Sequence, residues 1–388
     1  MLGNSVSAFA IGLFMLDKTG SVFLYALFLA SYNLPKILIP IFAGSYLDKR
    51  SRRKTVFTLD FISSAVFLIM FLIAEVGLFH YGMYLVLCII IGSIDSMYCV
   101  AYDSFFPMLV SEGNFSRAYS VSSLLYPLAY MMTPVAAWAY KSFGLAPLFL
   151  FNACSFLAAA LCETKIKLTE PQVISQAARF SFREFKNDLK GGFSYIRNEK
   201  GLLIITAYFF INTLCSFGVD ALWLPHFKSV ATLGVMAYSY ISAINVLGSL
   251  LGSVAQYRIR YPAKKKYASA MCVYAVISIL DGGVLFTPFW AMLIIFFIDG
   301  MLSVTSYNIR LSTVQSYVPE EYRGRFNGSF QMVSNLGLIL GELVAGALAE
   351  LFPSRLIIIG FMAVNLIGAF ALMYRGRSHV KLIFNRDV

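Results

Sequence analysis

The chain has 388 residues, of which 59% are hydrophobic and 13% charged, with a formal net charge of +11. A soluble domain carries about 25% charged residues, so this composition excludes an ordinary soluble fold and points to a polytopic membrane protein. The basic excess gathers in a few polar loops, which argues against nucleic acid as a partner and for a topology signal.

Lipid offers the backbone no hydrogen-bond partner, so the spans are helices or a closed barrel, and continuous apolar runs without alternation leave helices. In chain order the apolar blocks predict helices at 1–16, 21–47, 55–75, 81–104, 118–140, 145–162, 201–220, 231–256, 267–287, 289–310, 326–350 and 354–374. The predicted fold is all-α, with twelve transmembrane helices in two pseudo-symmetric bundles of six. Residues 163–200 form the longest polar stretch and divide an N-terminal bundle, 1–162, from a C-terminal bundle, 201–374, followed by a cytoplasmic tail, 375–388. Within that linker Phe182, Phe185, Leu189, Phe193 and Ile196 fall three or four apart, with Arg183, Lys186, Asp188 and Lys190 between them. This is the pattern of an amphipathic helix on the inner membrane surface, weakened by Gly191 and Gly192; a plain tether is an equal alternative.

Counting Lys and Arg tests the topology. If 48–54 is cytoplasmic, so are 105–117, 163–200, 257–266, 311–325 and the tail. With Arg310 counted at a helix end, that side holds 26 basic residues; the opposite side holds Lys18, Lys141, Lys228 and Arg355. This asymmetry predicts cytoplasmic termini in the inner (plasma) membrane.

All six cysteines lie in or at the ends of apolar segments without metal-type spacing, and the three histidines are isolated. No phosphate-binding loop, paired histidine or nucleophile–base spacing occurs, so no metal, no cofactor and no enzyme activity is expected.

The halves read as repeats. Gly44-Ser45 aligns with Gly252-Ser253 at an offset of 208, and the same offset aligns Val110-Ser111-Glu112 with Val318-Pro319-Glu320 and Arg117 with Arg325. Two six-helix halves related this way are a transporter signature, with the substrate near the midplane between them. The offset maps helix 201–220 onto about −7 to 12, which leads to the expectation that the first helix is truncated or that Met1 is an internal start.

The loop Gly44-Ser-Tyr-Leu-Asp-Lys-Arg-Ser-Arg-Arg-Lys54 carries five bases between two apolar blocks. Its Gly44, Asp48, Lys49, Arg52 and Arg53 resemble the helix 2–3 loop of the major facilitator superfamily, with Ser51 in place of the usual glycine. Gln315 to Arg325, and Ala101 to Pro107, resemble the enterobactin-exporter and macrolide-efflux branch. The resemblance covers essentially the whole chain. It implies a monomeric secondary transporter that exports a small organic molecule by alternating access in exchange for protons. Tyr126 to Tyr140 keeps Pro127 and Pro134 but lacks the glycine of drug antiporters, so antiport rests on the branch alone. By resemblance Asp48 and Arg52 act as a conformational latch with Gly44, Lys49, Arg53, Arg117 and Arg325. Each such contact contributes about 0.3–1 kcal/mol.

Charges at mid-bilayer cost roughly 2.5–3.5 kcal/mol on insertion scales, so they face a cavity or a partner. Counting along the helices puts Lys36, Asp95 and Asp299 in the central region and Glu342 beyond the midpoint of its helix; Asp60, Asp220, Asp281 and Glu75 fall near helix ends. A proton-coupled exporter needs a carboxyl that titrates near neutrality, which burial favours. Asp95, Asp299 and Glu342 are the candidates, and Lys36 could hold one of them ionised. Gly248-Ser-Leu-Leu-Gly252 and Gly337-Leu-Ile-Leu-Gly341 predict close helix packing, with a sliding contact between the halves as one use for it. The expected partners are a small-molecule substrate, protons and membrane lipids. A proton-coupled importer, and a non-transporting membrane sensor or scaffold, are the alternatives.

Overall fold

Helix follows helix in the computed structural model, which describes all residues except 1, 48–49, 111–117, 119–126, 130, 167–181, 231, 259–261 and 387–388. No strand occurs among the described residues. The first half contributes α1 (Leu2–Thr19), α2 (Val22–Asn33), α3 (Pro35–Leu47), α4 (Arg52–Glu75), α5 (Tyr81–Leu109), α6 (Thr133–Phe143) and α7 (Ala146–Glu163). Then follow α8 (Phe182–Asn198), α9 (Lys200–Ser229), α10 (Gly234–Arg258), α11 (Lys266–Gly283), α12 (Phe289–Tyr317), α13 (Glu320–Ala349), α14 (Ser354–Gly368) and α15 (Arg377–Phe384).

Among the described residues ten stretches are long and apolar enough to cross a membrane. Of the twelve predicted blocks, the two not among them are 1–16, which is helical as α1, and 118–140, which lies partly outside the described residues and ends in α6. The block 21–47 is broken at Leu34, because Pro35 has no N–H to continue α2, yet the span runs on to Pro40. Ser51 caps α4 by accepting from the Lys54 N–H at 3.1 Å. Pro288, Pro319 and Pro353 stand immediately before α12, α13 and α14, and Glu320 and Glu321 place negative charge at the positive end of α13.

Two helices overrun their predicted ends, which relocates two charged residues. The α12 helix continues to Tyr317, so Arg310, counted with a polar loop, lies within it. The α9 helix continues to Ser229, so Asp220, placed near a helix end, lies nine residues inside. The apolar run Ala221–Pro225 extends α9, and the polar residues beyond it were read as a loop. The tail contains α15, whose Val380, Ile383 and Phe384 are buried.

Contacts gather the chain into two units: Met1–Gly20 with Leu27–Ser181, and Ser21–Ala26 with Phe182–Val388. The first has a core around Phe28, Phe67, Met70, Tyr84 and Phe149. The second has one core around Tyr208, Tyr274, Phe326 and Phe330 and another around Leu222, Trp223, Phe296 and Met362. The linker stretch is helical as α8 and packs on α13: Gly192 lies so close to Ser329 and the Arg325 carbonyl that a Cβ would collide with both. Ile196 is buried and Phe193 exposed; the side chains of 182–188, Phe182 and Phe185 among them, lie outside those described. Gly248 and Gly252 lie against the α12 backbone, Gly337 and Gly341 against the α9 backbone. The predicted close packing is present, and all four contacts fall inside the second unit.

Candidate functional site

In the first unit a turn at Leu34 sets Lys36 at the start of α3, facing α5. Lys36 Nζ lies 3.8 Å from Asp95 Oδ2, and the Tyr32 hydroxyl donates to the same oxygen at 2.7 Å. The ammonium also sits 4.2 Å from the centre of the Tyr32 ring. The side chains of Lys36 and Asp95 are 36% and 26% exposed, so neighbouring side chains do not enclose the pair. The structure thus joins two residues that the sequence singles out separately.

In the second unit Asp299 of α12 is held by α10. The Asn245 amide donates to Asp299 Oδ2 at 2.8 Å and to the Phe296 carbonyl at 3.1 Å, and Ser303 donates to Asp299 Oδ1 at 3.4 Å. Asp220 of α9 and Asp281 of α11 stand within electrostatic reach of Asp299 and of each other. The sequence places both near helix ends: Asp220 lies nine residues inside α9, which runs past its predicted end, whereas Asp281 does stand two residues from the end of α11. Asp220 has the Trp223 indole facing it, and Asp281 and Asp299 are half-buried. Among the described residues no cation lies within ion-pair distance of these three acids. Glu342 of α13 is 4% exposed and interacts with Tyr25, which also feels Asp220.

Asp60, expected near a helix end, is 2% exposed and faces Glu163 of α7, with Tyr98 of α5 on the other side of that carboxyl. Of the residues expected in the latch, Arg52 donates to the Met108 sulfur of α5 at 3.4 Å, and Arg53 donates to the Thr164 carbonyl beyond α7. Gly44 lies in α3, and Arg325 is exposed on α13 beside Gly191 of α8. Asp48, Lys49 and Arg117 lie outside the described residues. A cavity of about 470 Å³ opens between α9, α13 and α14, lined by Leu214, Val344, Phe352, Phe361 and other apolar groups. No charged side chain lines it.

A family model described as the Major Facilitator Superfamily matches residues 1–341 and 260–386. The chain belongs to the Major Facilitator Superfamily. It is similar to Macrolide efflux protein A of Streptococcus pyogenes, 22% identical over 357 residues that cover 89% of this chain and 86% of that protein. Macrolide efflux protein A of Streptococcus pyogenes serotype M6 matches with the same figures. Among solved structures it is similar to the nucleoside transporter NupG, with a TM-score of 0.72 and 15% identity over 96% of this chain and 95% of that one. A mutant form of NupG gives a TM-score of 0.74 over 96% of each chain. At this identity the NupG likeness speaks to fold alone. As a Major Facilitator Superfamily transporter the chain is a multi-pass membrane protein that binds a small-molecule substrate.

Proposed function

We propose that this transporter exports a small organic molecule, of the amphipathic antibiotic kind, by alternating access driven by proton antiport. In this reading it is a monomer in the inner (plasma) membrane with both termini cytoplasmic. The observation that carries the reading is the likeness to Macrolide efflux protein A, which extends over nearly nine-tenths of the chain and takes in both halves.

The side chains support a division of labour. Asp95 already has a cation in Lys36 and a donor in Tyr32, so its role is to hold α5 to α2 and α3. Asp299 has neutral donors and two further acids beside it, so it is the coupling acid, with Asp220 as its neighbour on α9. Glu342, reached through Tyr25, is its link to α13. A proton entering this cluster displaces a bound cationic or hydrogen-bonding substrate, and deprotonation on the other side readies it for the next. At the basic-loop end the latch formed by Gly44, Asp48, Lys49, Arg52, Arg53, Arg117 and Arg325 biases one arrangement of the halves. Its contacts are each worth about 0.3–1 kcal/mol, enough in sum to shift a population without locking it.

The test is efflux from cells that lack their own drug pumps, loaded with dyes and antibiotics that include a macrolide. Expression should lower accumulation, a protonophore should restore it, and Asp299→Asn should abolish the effect with the protein still inserted. Higher accumulation on expression, or no change across the panel, overturns the exporter reading.

A further inference from the structure

Arg310 lies seven residues inside the end of α12, about 10 Å along the helix. Its guanidinium carbon sits 4.8 Å from the ring centre of Phe209 on α9, 4.9 Å from Phe330 on α13 and 5.3 Å from Tyr307 one turn earlier on α12. Tyr274 of α11 closes the box, with its ring 6.0 Å from that of Phe209. Four helices therefore supply walls around one cation. Its Nε is buried without an acceptor, and among the described residues no carboxylate lies within ion-pair distance. Arg310 itself is only half-buried and Tyr307 is 53% exposed, so one side of the box is open.

Two ordinary explanations leave something over. An arginine that only marks topology extends its head to the headgroups, whereas rings draw this one inward. A cation–π clamp explains the rings but not the unused donors. Rings against the guanidinium faces leave its N–H groups directed outward in its plane, where the fork matches an oxyanion. A desolvated donor without an acceptor is costly, and an arriving carboxylate removes that cost with charge-assisted hydrogen bonds.

We propose that Arg310 and its aromatic walls bind an acidic group of the transported molecule, a carboxylate or similar oxyanion carried on an apolar body that lies along Tyr307. This rests on the reading of the chain as a transporter of small organic molecules and adds the substrate's charge. The other source of such a group is an anionic lipid headgroup, and the test separates the two.

The full-length protein in phosphatidylcholine nanodiscs is titrated into rhodamine B, which bears a free carboxylate, and into rhodamine B ethyl ester, in which that carboxylate is capped. Fluorescence anisotropy reads both affinities. The acid should bind at least ten-fold more tightly than the ester. Arg310→Gln should erase that preference. Arg310→Lys, which keeps the charge but not the fork, should cut it several-fold and serves if Arg310→Gln does not fold. Phe330→Leu should weaken the acid with the charge intact. Failure to prefer the acid, including failure to bind either dye, overturns the proposal, as does an Arg310→Gln loss that falls equally on both dyes. Disappearance of the preference in phosphatidylglycerol nanodiscs overturns it in favour of a lipid headgroup. Equilibrium binding needs no gradient, so a failed efflux assay beside an intact acid preference sinks the exporter reading and not this one.

Discussion

Gly92 of α5 and Gly300 of α12 stand 208 positions apart, and each lies against one neighbouring carbonyl so closely that a Cβ would collide with it. The carbonyl belongs to Tyr32 of α2 for Gly92 and to Asn245 of α10 for Gly300. The same two residues hold the intramembrane acids: Tyr32 donates to Asp95, three positions after Gly92, and Asn245 donates to Asp299, one position before Gly300. In each unit a glycine lets two backbones approach, and that approach brings an acid to its donor. The spacing that aligns the loops in the sequence also aligns these crossings.

Alanine at either glycine should therefore force the helix pair apart. Overpacking of this kind costs about 1–3 kcal/mol, which outweighs the gain of up to about 1 kcal/mol from replacing glycine within a helix. Gly92→Ala and Gly300→Ala should lower the thermal midpoint of the detergent-solubilised protein. Gly360→Ala on α14, where nothing lies within 4 Å of the added Cβ, should hold it or raise it slightly. Equal behaviour of the three variants would refute the close-crossing account.

The Lys36–Asp95 pair should couple only weakly in stability. Both side chains are partly exposed, and pairs of that kind are worth about 0.2–1 kcal/mol. A double-mutant cycle with Lys36→Met and Asp95→Asn should return a coupling energy in that range. A value of several kcal/mol would mean a desolvated pair and a different role for Asp95.

The helix pattern was legible in the sequence because it is a property of long stretches. Partnerships were not. Lys36 and Asp95 were visible as charges in apolar blocks, but their pairing depends on the break at Leu34–Pro35, which redirects α3. Asp220 looked terminal because a few misplaced residues at a helix end turn a membrane-embedded acid into a loop acid, and Asp281, near the end of α11, gains its place only from the acids on neighbouring helices. Arg310 was lost for the same reason as Asp220, counted as one more base of a cytoplasmic loop. Phe209, Tyr274 and Phe330 look in the sequence like any other of the 35 phenylalanines and 23 tyrosines, and only helix packing makes them walls.

Asn245 connects the site to the scaffold, because one amide group serves both Asp299 and the Phe296 carbonyl. Asn245→Leu keeps the volume and removes both hydrogen bonds. Each buried group left without its partner costs about 1–3 kcal/mol, so this variant should be clearly destabilised. Asn245→Ala combined with Asp299→Asn should cost less than the sum of the single changes, since the two residues share one bond. Strict additivity in thermal unfolding would show that the bond contributes nothing.

Glu350, just past the end of α13, caps α2. Its Oε1 accepts from the Ser21 hydroxyl at 2.6 Å and from the Phe23 N–H at 3.0 Å. The first N–H groups of α2 have no acceptor within their own helix, and the dipole favours an anion there. The Ser21 hydroxyl and the Phe23 N–H hold the Glu350 carboxyl below its ordinary value of 4.5. A group whose value is lower in the folded than in the unfolded state stabilises fully above the unfolded value, and that stability is lost as pH falls through the folded one. Acidification below about pH 4.5 should therefore cost the wild type more stability than Glu350→Gln. At neutral pH Glu350→Gln should be destabilised by less than about 1 kcal/mol, because the carboxylate is exposed. Ser21→Ala should reproduce part of this loss and, in the Glu350→Gln background, should add little. A full additional loss from Ser21→Ala in that background would show that Glu350 does not act through α2.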